Sequence, residues 1–445
     1  MSSIEENKMD FENKEETKDI PFNFQNLEVL SIATNVIHNH TVSSYKQITA
    51  TSVQCLSYVC SYTGLKGCEW YLFDLSPGAT GKDSAFDKAY EVFLKPVMDL
   101  QNERKALYDY ERQSSDEKLP LKSFHCIHTS DATEQGVYEG FMTTNAQFIA
   151  IGENSNKLRK KEDSLTNFTT RYYGKNTLTL PNYKKDLGTY GSLTVDGISL
   201  FYYGNSNLKM LGRNIFTHHI VGGLLNRCTL VYNTSARSFE ERPESYDLEQ
   251  GFIEKMHIDV HNLIRYGEVH KNKPKPLMSK TEEYVAFDRY IFDLTNKYAG
   301  SEVEYFFKRV IQNLNAIIYT FHYLVGSQNK VWNTEVKAST ISLGINYMKY
   351  ILAGYTELID EIIGATAEVR DEVDIKKLHA TILSLSKKKS ASKLLHRDVY
   401  RAAHITRKQY DRLLLSMNYK TDKKYLHVAT YGMTTVTWDK MQEVA

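Results

Sequence analysis

The chain has 445 residues, with 55 Lys and Arg against 54 Asp and Glu for a net charge of +1, and 42% of it is hydrophobic. That is the composition of a globular protein of two or three domains. No uninterrupted apolar run is long enough to cross a bilayer, and the N-terminus lacks the basic start and apolar stretch of a secretory signal, so neither a membrane span nor export is expected. The five cysteines, Cys55, Cys60, Cys68, Cys126 and Cys228, are odd in number and lack CxxC spacing, which fits reduced thiols in a cytoplasm better than disulfides or zinc.

Residues 1–22 carry seven acids against three lysines and are expected to form a disordered acidic tail. From Asn23 to Gly64 apolar positions recur at three- and four-residue steps, predicting two helices that pack on the strands and helices C-terminal to them. The first strand is Trp70–Leu75, ended by a Gly-rich turn, and Lys82 to about Met98 reads as a helix with a charged continuation over Gln101–Lys118. Further buried strands are expected at Phe148–Ile151, Ile198–Tyr203 and Cys228–Tyr232, in keeping with a mostly parallel sheet. From about Glu249 the pattern turns helical, with the basic Lys271–Lys275 loop expected to join this region to the sheet. Residues 375–385, 392–403 and 406–417 then read as three helices, followed by a hairpin of 424–429 and 434–438, the pattern of a winged helix-turn-helix.

Strand, Gly-rich turn and helix is the arrangement that surrounds phosphates with backbone N–H groups at a helix N-terminus. The turn is Ser76-Pro77-Gly78-Ala79-Thr80-Gly81, followed by Lys82, Asp83 and Ser84. Gly81-Lys82 keeps the P-loop pattern, whereas Ser76 stands at the usual first glycine and Asp83 at the usual Ser/Thr. Asp83 would lie near phosphate and suits a hard ligand for Mg²⁺, and Ser84 would supply the hydroxyl if the helix started one residue later. A Gly-rich turn that binds no nucleotide is the alternative. Glu153, at the end of the Phe148–Ile151 strand, is placed to orient an attacking water, although Gly152 stands where a metal-holding Asp is usual. The Gly204-Asn205-Ser206-Asn207 turn offers a sensor amide, and Arg213 and Arg227 are candidates for a cationic finger, a group often supplied across a subunit interface. A surface Glu, an Asn/Gly turn and solvated arginines are the plain alternatives.

The order Leu75–Ser84, Pro96, Ser130–Gln135 with Phe148–Glu153, Gly204–Asn207 and Gly222–Arg227 resembles a family of P-loop NTPases from phages, plasmids and genomic islands, often called primase-associated helicases. The resemblance covers about residues 25–365. It implies a RecA- or AAA-like, cytoplasmic ATPase that uses ATP and Mg²⁺, acts in replication of a mobile element as a helicase or origin remodeller, and assembles as a homo-oligomeric ring. By position it implies that Pro77 to Ser84 hold the nucleotide with Lys82 on phosphate, that Glu153 orients water, that Asn207 or Asn205 is a sensor, and that Arg227 is the finger. The Walker A and Walker B motifs are degenerate at Ser76, Asp83 and Gly152, so a DNA-binding initiator or regulator that uses nucleotide for assembly with little hydrolysis is the competing expectation. The expected fold is thus α/β, with an acidic tail at 1–22, a P-loop NTPase core with a mostly parallel sheet at 23–248, an α-helical region at 249–370 and a winged helix at 371–445.

Residues 375–424 hold fourteen Lys and Arg against three acids, an electrostatic footprint for the phosphate backbone. A capping box at Thr406 and Gln409 begins the third helix, which would turn Arg407, Lys408 and Arg412 outward toward duplex DNA, with Lys423 and Lys424 reaching phosphates from the wing. A protein-binding winged helix with solvated lysines is the alternative. A second basic set, Lys157 to Lys185, with Tyr172 and Tyr173 as stacking platforms, could track single-stranded DNA through the core. The local excess of 14 − 3 = +11 leaves +1 − 11 = −10 for the rest of the chain, so the near-zero sum hides segregated charge.

Overall fold

The computed structural model describes residues 19–114, 122–129, 132–152, 164–184, 190–207, 223–234, 241–299, 302–355, 357–359, 378–388, 393–403, 407, 410–411, 414, 420–421 and 425–427. The chain divides into two compact units, residues 1–358 and 359–445.

The first unit is built on five strands: β1 (Tyr71–Asp74), β2 (Ile127–His128), β3 (Ala146–Ile151), β6 (Ser199–Asn205) and β7 (Cys228–Val231). Their order is β2-β3-β6-β1-β7, and every pairing is parallel. The runs YLFD, AQFIAI and CTLV are buried throughout, as a sheet covered on both faces requires. The predicted strands are present, with β6 reaching two residues beyond Tyr203 to Asn205. An antiparallel hairpin, β4 (Thr177–Lys184) and β5 (Tyr190–Asp196), stands apart from this sheet. Its sequence signature is the alternation of Thr177–Leu180 and Leu193–Asp196, interrupted by Pro181.

Two helices precede the sheet, α1 (Glu28–Asn39) and α2 (Tyr45–Tyr62). Ser44 caps α2 in a capping box with Gln47, and every residue from Gln47 to Tyr62 is buried. Several of its polar side chains bond across the core: Ser57 lies 2.8 Å from Thr320, Trp70 Nε1 donates to Ser57 Oγ at 2.9 Å, and Gln54 Nε2 donates to the Tyr202 carbonyl at 2.7 Å. The tail expectation needs shortening at its end, since Asp19 pairs with His38 at 2.9 Å and accepts from Tyr45 N–H, while Phe22 packs edge-on against Phe24 and Tyr347.

The helix opened by Lys82 runs on into the charged stretch, as far as Ser114 among the described residues. It runs as α3 (Lys82–Ala89), a π turn (Tyr90–Leu94) and α4 (Lys95–Ser114). Pro96 has no N–H to continue the ladder. The Lys95 N–H bonds Tyr90 O, one residue further back than an α-helix allows, and the Glu91 carbonyl left over accepts from His257 Nε2 at 2.9 Å. The remaining helices of this unit are α5 (Glu134–Gly140, between β2 and β3 in sequence), α6 (Ser164–Tyr172, ahead of β4), α7 (Gln250–His270), α8 (Glu282–Lys297), α9 (Val310–Asn329) and α10 (Ala338–Leu352). The Lys271–Lys275 loop lies between α7 and α8 and so does not join the helices to the sheet. Helices α9 and α10 approach closely at Gly344, where a Cβ would meet Ile318 Cγ1. All four late helices belong to the same unit as the sheet.

The second unit has a helical segment over 378–388, β8 (Lys393–Leu395), α11 (His396–Ala402), β9 (Lys420–Thr421) and β10 (Tyr425–His427), with an antiparallel strand order β8-β10-β9. Leu378, Ile382, Leu394, Val399, Ala403, Tyr410 and Leu426 form its core, and His396 Nδ1 meets the Tyr410 hydroxyl at 2.7 Å. The second predicted helix therefore begins with a short strand. Within the 424–429 segment Tyr425–His427 is a strand, paired with β9 and β8; its predicted partner at 434–438 lies outside the described residues. Among the described residues, no helix is long and apolar enough to cross a membrane.

Glu69, just ahead of β1, has its carboxyl pushed up to about 7 by burial, against a hydrogen bond with Ser199 and the charge of Lys275. A carboxyl raised from an ordinary 4.5 favours the fold while protonated, so stability should fall as pH rises from about 4.5 to about 7. Glu69→Gln should therefore gain on the wild type between pH 5 and pH 8, by about 2 kcal/mol in urea unfolding; parallel stability profiles would contradict this origin of the effect.

Candidate functional site

The connection leaving β1 runs toward β2 at one end of the sheet, and the one leaving β6 crosses to β7 at the other. Between these neighbouring strands the topology reverses, and the crevice at their C-terminal ends is where open α/β sheets place ligands. The loop 75–81 occupies that crevice. Only Ala79 (φ 64°) and Gly81 (φ 78°) in it adopt the left-handed region. Gly81 is obligatory on two counts, since a Cβ there would also stand 2.7 Å from Ser43 Oγ and 2.8 Å from Ser43 N.

The loop is held from beneath by Asp74, the buried last residue of β1. Its Oδ1 accepts from Ser76 N–H at 2.8 Å, and its Oδ2 accepts from Gln47 Nε2 at 2.9 Å. The same amide lies 3.2 Å from Thr80 Oγ1, Thr80 donates to the Pro77 carbonyl at 2.9 Å, and Ser43 Oγ donates to the Gly81 carbonyl at 2.6 Å. Burial raises the Asp74 carboxyl above the ordinary Asp value despite these bonds and the nearby Lys82 charge. Ser76 is at home here: its hydroxyl accepts from Asn233 N–H at 3.1 Å, tying the end of β1 to the segment after β7, and its backbone needs no glycine.

Lys82 opens α3 and donates from Nζ to the Ser76 carbonyl at 2.8 Å and the Ser206 carbonyl at 2.9 Å, which sets its charge between the ends of β1 and β6. Asp83 Oδ1 accepts from Asn205 Nδ2 at 2.7 Å. Asn207 sits over Gly78, with its Nδ2 3.5 Å from where a Cβ would be. Gly152, just past β3, faces Asp83, and Ser206 Oγ is buried without a hydrogen-bond partner among the described residues. Ser84 follows, half-buried, in the first turn of α3. The structure thus gathers Pro77–Ser84, Asn205 and Asn207 at one sheet edge. A lysine, a helix N-terminus, two amides and a carboxylate in such an arrangement can grip a phosphate chain and a hard cation.

Arg227 is not part of this cluster. It sits in a short 3₁₀ turn (Leu225–Arg227) before β7, where it donates to the Gly223 carbonyl at 2.7 Å and to Asn226 Oδ1 at 2.9 Å. Because β7 runs parallel to β1, this is the N-terminal edge of the sheet, one strand length, roughly 13 Å, from the loop. Arg227 therefore does not reach the loop of its own chain, as a finger that acts across a subunit interface need not. The stacking-platform expectation fails, since Tyr172 and Tyr173 are buried, with Tyr173 donating to Asn313 Oδ1 at 2.6 Å and packing edge-on against Tyr71. Glu153, Arg213 and Lys157–Lys161 lie outside the described residues.

In the second unit, Arg407 is exposed and donates from Nε to Asp411 Oδ2 at 2.8 Å, with its guanidinium 5.9 and 6.0 Å from the Tyr400 and Tyr410 ring centres. Lys408, Arg412, Lys423 and Lys424 lie outside the described residues. All five cysteines are free and buried, and burial raises the thiols of Cys55, Cys60, Cys126 and Cys228, which leaves them poor nucleophiles. No group of three or more His, Cys, Asp or Glu able to hold a metal occurs among the described residues. No protein-family model and no curated protein matches the chain.

Sequence reasoning missed Ser43, Gln47, Asp74 and Asn233, which shape the loop without belonging to its motif. The Ser44–Gln47 capping box was the one readable signal among them. Gln47→Ala should leave the buried Asp74 carboxylate short of a donor and cost about 1–3 kcal/mol. Thermal unfolding of the variant checks this, and a change below a few tenths of a kcal/mol would count against the brace.

Proposed function

We propose that the chain is an ATP-binding, DNA-acting replication protein of a mobile genetic element, a helicase, translocase or origin remodeller that works as a homo-oligomeric ring. The observation that carries the reading is the loop between β1 and α3 at the sheet's switch point, with Gly81 left-handed and Lys82 at the helix start. Residues 77–84 would hold the polyphosphate, and Ser206 Oγ, buried and unpartnered, is a further donor beside it. Mg²⁺ would neutralise phosphate charge, with Asp83 as the hard protein ligand. A single carboxylate suffices for Mg²⁺, which takes most of its ligands from phosphate and water. Asn205 and Asn207 are the sensor candidates, and Glu153 the water-orienting acid. The basic second unit would dock on duplex DNA as a winged helix, supported by its helices and its β8-β10-β9 sheet.

Asp83 and Gly152, which depart from the phosphate-loop pattern, motivate a second reading, in which nucleotide supports assembly and turnover is slow. The two readings separate on phosphate release: DNA-stimulated multiple turnover supports the first, and tight ATP binding with negligible release supports the second.

ATP at a hundred times its Kd should stabilise the wild type by about 2.7 kcal/mol, and Lys82→Ala should abolish that gain; equal gains would refute the site. Replacing Arg407 and Lys408 together by Ala should weaken binding to all duplex sequences and lower the salt slope by about 2. An unchanged slope would remove the phosphate contacts from this helix.

A further inference from the structure

Two departures from the phosphate-loop pattern have opposite signs: Asp83 puts a carboxylate where a hydroxyl is usual, and Gly152 puts nothing where a carboxylate is usual. In the fold these positions face one another across the end of β6. A Cβ on Gly152 would lie 3.1 Å from Asp83 Oδ1, the nearest atom it would meet. That distance is tighter than ordinary van der Waals contact, so a side chain at 152 would press on the Asp83 carboxylate in its present rotamer. The rotamer is fixed in turn by Asn205, buried at the end of β6, whose Nδ2 donates to the same oxygen at 2.7 Å. No Lys or Arg among the described residues pairs with Asp83. Asp87, one helical turn on, has its carboxyl raised by burial and then by the charge of Asp83, with Lys88 acting the other way, so a second acid lies close to the first.

Resting on the nucleotide reading of this loop, we infer that the two departures are a single exchange: the metal-holding carboxylate expected at the end of β3 is delivered by Asp83 from the head of α3, and Gly152 is the cleared space that admits it. Asn205 then acts as a positioning residue, aiming one carboxylate oxygen and leaving the other for the ion. Degeneracy at both motifs is on this account compensated, and Mg²⁺-dependent nucleotide binding is retained.

The test is calorimetric titration of the full chain with a non-hydrolysable ATP analogue, in Mg²⁺ and in EDTA, for wild type, Asp83→Ser, Asp83→Asn and the double variant Asp83→Ser with Gly152→Asp. Asp83→Asn keeps an oxygen for Asn205 and so guards against loss of fold, which melting without nucleotide verifies. The wild type should bind about tenfold tighter or more in Mg²⁺. Both single variants should lose that enhancement, measured for each against its own affinity in EDTA, and the double variant should regain it to within about threefold. Bound Mn²⁺ seen by electron paramagnetic resonance should follow the same order. Single variants that keep the enhancement, a double variant as flat as Asp83→Ser, or a wild type that binds nucleotide without regard to Mg²⁺ would each overturn the exchange and leave the nucleotide reading standing. A wild type that binds no nucleotide would remove both.

Discussion

A carboxylate buried at the C-terminal end of a strand must be given donors, and Asp74 takes them from both sides of β1. One is the Ser76 N–H, which sets the first bend of the loop; the other is Gln47, whose amide goes on to Thr80 and sets the last. The loop conformation is therefore not a property of its own glycines alone. It depends on a helix that begins thirty residues earlier and whose first turn is itself held by the Ser44 capping box. Gly81, pressed against Ser43, closes the same arrangement from the other side.

That dependence extends through the whole first unit. Helix α2 is buried on all sides because the sheet lies on one face and α9 on another, and the polar chain from Trp70 through Ser57 to Thr320 crosses between them. Asn313 continues the link, donating to Thr229 of β7 at 2.9 Å and accepting from Tyr173. The late helices are therefore structural parts of the sheet's unit. Their helical periodicity was clear in the sequence; their membership in one core was not, because it resides in cross-chain hydrogen bonds that no local pattern encodes.

The same contrast runs through the candidate site. The strand, turn and helix around Lys82 were legible because burial, glycine and helix start leave local signatures. Asn205 and Asn207 were legible as a turn after a strand, yet which of them meets Asp83 depended on register: β6 pairs Asn205 with Asp74. Asp74 looked like an unremarkable strand end, and the edge of the sheet that Arg227 occupies was not legible, because sequence order says nothing about which end of a parallel strand a residue meets. In the second unit the basic excess was visible at once. The strand β8 was hidden inside what reads as a helix, since three residues, Lys393–Leu395, are too few to establish a period of two.

The π turn at Tyr90–Leu94 has a consequence for how this protein can change over evolutionary time. It is in effect a one-residue insertion absorbed within a helix of 33 residues, from Lys82 to Ser114, and it is pinned by His257 on the surplus Glu91 carbonyl. On one side of it Ala85 and Ala89 are locked against the core; on the other only Pro96, Val97 and Gln101 are buried, and Leu107 and Tyr110 stand in solvent. The distal arm can therefore gain, lose or replace residues without rotating Lys82 away from the strand ends, so drift in the outer half of the helix is mechanically insulated from the half that begins at the loop.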